Sequence, residues 1–376
     1  MALAPQIRKS ILVFPRALGI DWAYAVADKR DLRIDLLRGF AVFVMVVNHF
    51  GGASWLYYIT GNNSFFVSGA EAFVFISGLV VGMVYGGIAL KQGLRAAQKK
   101  SIERTWTLYK LTLVLTFTLV ILSRLFGLSW TGPLHINNPI TFAIDVVLLR
   151  QTFYLSDVMM MYTFLMLASV GALWMLVRGH TRWLFAISIS LWTGYQLFGL
   201  QIPWTIEGNT TFNLAAWQLL FFVGMIIGYH RDTFAQVLNR LPRMPYLVLA
   251  ACLMVILVQV YHNPGTWSNA LFLKSAVAPG RLFASIIVFQ FAYLMATTMW
   301  KPITNSLGWL LMPLGQNALY AYTMHVAIIG VFHVLVSFLP VDVMAMGTLN
   351  TSLQLATVLI IWAMIRKQFL FNIIPR

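Results

Sequence analysis

Two ionisable residues in the first apolar stretch of the chain have types and spacing that suit acid–base chemistry. Arg38 and His49 are eleven residues apart, so on an α-helix they lie within about 20° of the same face and roughly 16 Å apart along the axis. Asp35 lies near that face. An arginine binds anionic groups such as phosphate, and an imidazole can act as a general base near neutral pH. The alternative is that Arg38 only sets membrane topology and His49 is an ordinary interfacial histidine.

A glutamate in the second apolar stretch is predicted to lie beside His49. The run is Glu71-Ala-Phe-Val-Phe-Ile-Ser77-Gly78, and Glu71 lies about one helical turn below the surface at which His49 also lies. A carboxylate bonded to one imidazole nitrogen fixes the tautomer and raises the basicity of the other nitrogen. We therefore predict that Glu71 orients His49. The alternative is an unrelated glutamate that reaches up to water. Ser77 and Gly78 are small enough for close helix packing or for the approach of a ligand.

Polar residues that open the fourth and sixth apolar stretches are predicted at the same level. They are Asp157 in one stretch and Asn213, Trp217 and Gln218 in the other. Asn213 and Trp217 are four residues apart and share a helix face. Each of these residues has the alternative of being a simple interfacial side chain. Together with the histidine and the glutamate above, they indicate a substrate-binding site near one membrane surface.

The ninth apolar stretch adds two substrate-binding candidates, Asn317 toward the other surface and His325 near mid-membrane. A lone histidine at that depth is more often a packing residue, so its role stays open. The sequence has no phosphate-cradling glycine loop, no cysteine pair, no His-Glu-x-x-His and no Gly-x-Ser-x-Gly motif. Its seven histidines lack metal-ligand spacing. We therefore expect no metal.

The elements that position these residues are predicted to be membrane-spanning helices. The 376 residues are 60% hydrophobic and only 10% charged, against about 25% charged in an ordinary soluble domain. Apolar stretches of roughly 18–25 residues recur along the chain, long enough to cross a bilayer as helices. The fold class is therefore all-α and polytopic, with about ten transmembrane helices and an interfacial helix over 139–153. The predicted spans are 36–53, 66–89, 108–127, 154–177, 183–200, 212–229, 245–261, 281–300, 315–339 and 349–366.

The distribution of charge predicts the orientation of the helices. With the N-terminus inside, all but four of the 26 lysine and arginine residues fall in cytoplasmic segments, as the positive-inside rule expects. Both termini are then cytoplasmic, and the net charge of +15 needs no nucleic-acid partner. Residues 1–30 form a basic cytoplasmic segment and residues 31–376 a single membrane domain. The four exceptions are Arg124, Arg150, Lys274 and Arg281.

At these motifs the sequence resembles the OpgC family, the membrane succinyltransferases of osmoregulated periplasmic glucans, within the acyltransferase 3 superfamily. The motifs occur in the family's order, and the resemblance covers about residues 28–370. One departure is the run Asp157-Val-Met-Met-Met-Tyr162, because family members often have a proline after this aspartate. The resemblance is carried by Arg33-Ile-Asp35-Leu-Leu-Arg38-Gly39 with His49, by Glu71 to Gly78, by Asn213-Leu-Ala-Ala-Trp217-Gln218 and by Leu314-Gly315-Gln-Asn317-Ala-Leu-Tyr320.

The resemblance implies an enzyme of the bacterial inner membrane. It would take a short acyl group from cytoplasmic acyl-CoA and deliver it to a hydroxyl of a periplasmic glucan or another extracytoplasmic glycan. The family favours succinyl-CoA as donor, and acetyl-CoA fits the residues equally. His49 would act as general base or as a transient acyl carrier. Arg38 and basic residues of the next inner loop would attract the phosphates of CoA. Those loop residues are Lys99, Lys100 and Arg104.

Two other hypotheses stay open. A transporter or flippase for a polar or anionic solute would also have basic inner segments and buried polar groups, but no pair of Gly/Pro-interrupted spans recurs in matching halves of the chain. A non-catalytic membrane scaffold would not need Arg38, His49 and Glu71 in register. The expected partners are acyl-CoA, a glycan acceptor and membrane lipids, and the oligomeric state, a homo-oligomer included, is left open.

Overall fold

The computed structural model describes residues 26–27, 30–127, 136, 138–340 and 342–374. Two antiparallel strands of two residues each, β1 (Val26–Ala27) and β2 (Arg30–Asp31), precede the first helix. The helices are α1 (Leu32–Phe50), α2 (Tyr57–Thr60), α3 (Gly69–Gln92), α4 (Leu94–Phe126), α5 (Pro139–Val147), α6 (Asp157–Val177), α7 (Thr181–Phe198), α8 (Leu214–Tyr229), α9 (Arg231–Asn239), α10 (Arg243–His262), α11 (Ser268–Leu271), α12 (Pro279–Thr298), α13 (Trp300–Gln316), α14 (Ala318–Ser337) and α15 (Gly347–Arg366). Single 3-10 turns lie at Gly61–Asn63, Tyr154–Ser156 and Val343–Ala345.

Seven of the described helices are long and apolar enough to cross a membrane, namely α3, α4, α6 with the turn before it, α10, α12, α14 and α15. Helix α8 is apolar but has only 16 residues. The prediction of an all-helical membrane protein is confirmed, and every predicted span coincides with a helix. The count of ten crossings and the cytoplasmic placement of the termini stay predictions. The predicted N-terminal segment lies almost wholly outside the described residues.

Two segments predicted as inner loops are helical. Gly93, with φ of 92°, is the only residue between α3 and α4. Helix α4 has 33 residues and is therefore about 50 Å long, well beyond the roughly 30 Å of a hydrocarbon core. Its first turns carry Lys99, Lys100 and Arg104, so the prediction of a basic loop there was wrong. The second such segment forms α13, which ends only one residue before α14.

Glycines bring α3 and α8 into backbone contact. A Cβ atom added at Gly78 would overlap the carbonyl oxygen of Phe221, and one added at Gly228 would overlap that of Leu79. Small residues permit this close approach in membrane helices. The predicted packing role of Gly78 is therefore confirmed. Because Gly78 faces Phe221 and Gly82 faces Met225, the two helices run parallel, which places the start of α8 level with the start of α3.

We expect Gly78→Ala to lower the free energy of unfolding by about 1–3 kcal/mol, because the added methyl group must push α8 away from α3. Gly87→Ala is the matched control on the same helix, since nothing lies within 4 Å of its added Cβ. The control should be neutral or stabilise by up to about 1 kcal/mol through helix propensity. Thermal unfolding in detergent measures both variants. Equal melting temperatures would contradict the close contact.

Candidate active site

His49 and His325 are in direct contact. His49 lies in the last turn of α1, is half-buried, and its Nδ1 lies 2.9 Å from Nε2 of His325. His325 lies in α14 and is 0% exposed. Their rings are nearly parallel, with centroids 5.2 Å apart and an interplanar angle of 24°. The sequence placed the two histidines at different depths, and the structure brings them together.

The surroundings of His325 favour one arrangement of the two ring protons. The carbonyls of Ala321 and Tyr322 lie beside its ring, and Nδ1 has no hydrogen-bond partner of good geometry among the described residues. A proton on Nδ1 faces carbonyl oxygens, whereas a bare lone pair there would face like charge. Nε2 of His325 is then the acceptor and Nδ1 of His49 the donor. This arrangement leaves the lone pair of His49 on Nε2, where a general base needs it.

An aromatic wall fixes the planes of both histidine rings. The Tyr322 ring meets His325 edge-on with centroids 4.6 Å apart, and it meets His49 edge-on at 6.4 Å. The Tyr322 hydroxyl donates to the carbonyl of Leu155 at 2.8 Å. Phe73 of α3 stacks on the same tyrosine at 6.2 Å. Neither imidazole can turn without displacing this packing.

The end of α1 is enclosed by later helices. His333 Nε2 donates to the carbonyl of Phe50 at 3.1 Å. Asn350 and Gln354 of α15 donate to the carbonyl of Gly51 at 2.8 and 3.1 Å. Carbonyls left over at a helix end need such partners. His49 is consequently held on a rigid helix end inside the bundle.

Glu71 does not contact His49. One carboxylate oxygen accepts from the backbone N and the Oγ of Ser68 at 2.8 and 2.6 Å, and the other accepts from Nε of Arg281 at 2.5 Å. Glu71 is 1% exposed and caps the start of α3. The prediction that Glu71 orients His49 was wrong, because a buried carboxylate takes the strongest donors in reach and a guanidinium is a stronger one than a neutral imidazole. His325 takes the orienting position instead.

Two cationic side chains, Arg281 and Lys274, lie beside Glu71. Nη2 of Arg281 is buried and has no hydrogen-bond partner among the described residues. Lys274, in the loop between α11 and α12, is half-buried, and its Nζ lies 3.5 Å from Oδ1 of Asn63. Burial lowers the pKa of Lys274, while the charge of Glu71 opposes this shift. Lys274 also lies close enough to His49 and Asp157 for their charges to interact. The site therefore combines a base with cations that have capacity for an anionic ligand.

The sequence prediction of site residues omitted Lys274 and Arg281. The signal that could have found them was their charge. They were two of only four basic residues that the positive-inside pattern left on the far side of the membrane. A basic residue that violates this rule and adjoins a span is costly unless it has a partner or a ligand.

Arg38 lies at the opposite end of α1 from His49. Its Nη2 donates to Oδ1 of Asp35 at 2.8 Å and its Nε donates to the carbonyl of Gly315 at 2.6 Å. Arg104 of α4 lies close enough for the two guanidinium charges to interact. Between the two ends, the hydroxyl of Tyr162 donates to Ser77 at 3.2 Å. The predicted alignment of Arg38, Asp35 and His49 on one helix agrees with α1 as an unbroken helix.

A family model for the OpgC protein matches residues 30–370, nearly the whole chain. The chain belongs to the OpgC family. The resemblance carried by the four motifs is thereby confirmed, and membership indicates an acyltransferase-type function in a membrane protein. No curated protein and no solved structure matches the chain.

Several motif residues of this OpgC family member hold helices together. Trp217 is fully buried, and its Nε1 donates to the carbonyl of Thr211 at 2.9 Å. Gln218 exchanges hydrogen bonds with the side chain and backbone of Ser188 on α7 at 2.7 and 2.8 Å. Asn317 lies in the one-residue joint between α13 and α14 and donates to the carbonyl of Pro313 at 2.9 Å. The structure does not bring Trp217, Gln218 and Asn317 to the two histidines.

Asn213 and Asp157, which were also predicted in the polar cluster, each lie at the start of a helix. Asn213 caps α8 by accepting from the backbone N of Ala215 at 2.9 Å, and it faces a separate polar cavity. Asp157 begins α6 and interacts with Lys274. Within the described part of the chain, no three His, Cys, Asp or Glu side chains are grouped so as to hold a metal ion.

Proposed function

We propose that the chain is a membrane O-acyltransferase that moves a short acyl group from acyl-CoA to a hydroxyl of a glycan. The donor is cytoplasmic, and the acceptor is a periplasmic glucan or another glycan on the far side of the bacterial inner membrane. The observation that carries the proposal is the hydrogen bond between His49 and His325 in a member of the OpgC family. It supplies an oriented imidazole at a half-buried position.

In the proposed reaction His49 carries one proton while one bond forms and another breaks between the substrates. Its Nε2 takes the proton of the acceptor hydroxyl as the oxygen forms a bond to the thioester carbonyl carbon. The carbon–sulfur bond then breaks, and the departing CoA thiolate recovers the proton from the imidazolium. The hydrogen bond from Nδ1 of His49 to His325 stabilises the positive charge that exists between these steps.

The donor is proposed to approach from the Arg38 end. Arg38 and Arg104 interact electrostatically there, and exposed Lys99 and Lys100 lie one turn earlier on α4. This basic surface suits the phosphates of CoA. Arg38 and His49 are about 16 Å apart along α1, a distance that an extended pantetheine arm would bridge.

Succinyl is the acyl group we favour. Its distal carboxylate needs cationic donors close to the reacting carbonyl. The unpartnered Nη2 of Arg281 and the Nζ of Lys274 are such donors, since both cations interact with Glu71 and Lys274 also interacts with His49. An acetyl group would leave the buried Nη2 of Arg281 without a partner, which is costly.

We expect Lys274→Gln to lower kcat/KM for succinyl-CoA by roughly 10- to 100-fold, since a hydrogen bond to a charged group contributes about 1.5–3 kcal/mol. The value for acetyl-CoA should be unchanged. Thiol release in the presence of glucan, measured with each donor, gives the ratio. Lys110→Gln, on an exposed lysine of α4, is the control. An equal loss with both donors would show that Lys274 does not recognise the carboxylate.

The proposed function is tested by mixing the purified protein with an acyl-CoA and a glucan. The expected result is stoichiometric release of CoA thiol and appearance of an ester-linked acyl group on the glucan, detected by mass spectrometry. Absence of acylated product with succinyl-CoA and acetyl-CoA alike, from protein that melts cooperatively, would reject it.

A further inference from the structure

The polar cavity that Asn213 faces lies apart from the two histidines. It measures about 150 Å³ and is formed mainly by the loop between α7 and α8, residues 199–213, together with Tyr195 and Ser275. Ligand pockets for drug-sized molecules usually exceed about 300 Å³, so this cavity accommodates a single ring rather than a nucleotide. None of the described residues that line it carries a charge. Its ligand is therefore small and neutral.

The lining of this cavity has hydrogen-bonding capacity to spare. The hydroxyls of Thr205, Thr210 and Ser275 form no hydrogen bond within the described part of the chain. The side-chain oxygen of Gln201 accepts from Nδ2 of Asn213 at 2.5 Å. The NH2 group of Gln201 therefore points away from Asn213. A cavity with this many hydroxyl and amide groups suits a ligand rich in hydroxyls, because each group can donate or accept.

One aromatic side chain gives the cavity a flat apolar surface. The Nε1 of Trp204 donates to the carbonyl of Leu149 at 3.2 Å, and its ring meets Phe164 edge-on with centroids 6.0 Å apart. The indole is nonetheless 40% exposed. A fixed and half-exposed indole offers rigid contact area at low entropic cost. Such a surface suits the C–H face of a sugar ring.

The loop between α11 and α12 connects the cavity with the reaction site. Ser275 lines the cavity, and its chain neighbour Lys274 interacts with His49 and Asp157. Gln196 and Trp192 of α7 anchor this loop through the carbonyls of Ala276 and Val277 at 2.7 and 3.0 Å. The parallel register of α3 and α8 also places Asn213 at the level of Glu71. The cavity therefore lies beside the His49 cluster at the same end of the bundle.

We infer that this cavity is a subsite for one neutral sugar ring of the acceptor, next to the ring that receives the acyl group. The inference rests on the proposed function, since it assigns the acceptor of that same reaction. Such a subsite gives the enzyme a means to select a glycan chain over an isolated hydroxyl, because only a polymer occupies the reaction site and the cavity at once. Both contacts then contribute to a single binding event.

The test compares two acceptors in the full-length purified protein. With a glucan oligosaccharide, Trp204→Leu and Thr210→Val are each expected to raise KM by roughly three- to tenfold, the equivalent of one lost contact or hydrogen bond. With glycerol, which cannot reach the cavity while it reacts, kcat/KM should be unchanged. Thr210 is exposed, so its variant keeps the fold even if the tryptophan variant does not. Trp267→Leu, on a half-exposed tryptophan outside the cavity, is the control.

Three outcomes separate the possibilities. An unchanged KM for the oligosaccharide in both variants overturns the subsite, and so does an equal loss with the oligosaccharide and glycerol. If the wild-type protein acylates neither acceptor, the proposed function fails, and calorimetric titration with the oligosaccharide then decides the subsite alone. Binding to the wild type that weakens in Thr210→Val supports the subsite, and equal binding overturns it.

Discussion

His49→Ala is expected to reduce acyl transfer by about 10²- to 10⁴-fold while the protein keeps its fold. This is the usual contribution of a positioned general base. The variant removes the Nε2 lone pair and leaves His325 enclosed by Tyr322 and the end of α1. The rate of CoA release in the presence of a glucan acceptor measures the effect. His262→Ala, on an exposed histidine at the end of α10, is the control and should retain the wild-type rate.

A transfer rate near that of the wild type for His49→Ala would reject the base. The same protein also distinguishes the base from a transient acyl carrier. The wild type is incubated with donor alone, and its intact mass is measured. A stable mass increase that disappears on addition of glucan and is absent from His49→Ala would establish an acyl-imidazole intermediate. We expect no such increase, because the proposed step passes the acyl group directly to the acceptor.

The Glu71–Arg281 pair is expected to contribute mainly to the stability of the folded protein and not to the acid–base step. Breaking a buried ion pair from one side usually costs about 3–5 kcal/mol, because the remaining charge has no partner. Both side chains are nearly inaccessible, at 1% and 4% exposure. Glu71→Gln should therefore lower the melting temperature strongly. Its effect on transfer should follow the loss of folded protein.

The double variant Glu71→Gln with Arg281→Met isolates this effect. Removing both charges should recover much of the lost stability, since replacing a buried pair by groups without charge is often neutral. The double variant should still use succinyl-CoA poorly, because Nη2 of Arg281 is gone. If Glu71→Gln instead melts like the wild type and loses transfer by about 10²-fold, Glu71 acts on the base after all.

Hydrophobic pattern and charge were sufficient to predict the helices but not their partners. Helical spans follow from apolar length and the need to satisfy backbone groups in lipid, and each predicted span coincides with a helix. Depth in the membrane follows from position in the span. The neighbour that a side chain faces does not follow, since it depends on which helices pack together. Glu71 lies in the first turn of its helix as predicted, yet it faces Arg281, 210 residues away.

The pairing of His49 with His325 could not be predicted for a similar reason. The prediction placed His49 near the surface because it lies close to the end of the predicted span 36–53. The structure shows that α14 and α15 extend past this end and cover it through His333, Asn350 and Gln354. These contacts join residues some 280–300 positions apart. Position within a single span does not indicate that another helix continues beyond its end.

The most direct test of a cross-membrane transfer uses proteoliposomes with donor and acceptor on opposite sides. Glucan is enclosed in the lumen, succinyl-CoA is added outside, and lumenal glucan is recovered after the external medium has been removed. We expect succinylated lumenal glucan with the wild-type protein and none above background with His49→Ala. Acylated product that forms only when donor and acceptor share one compartment would contradict it.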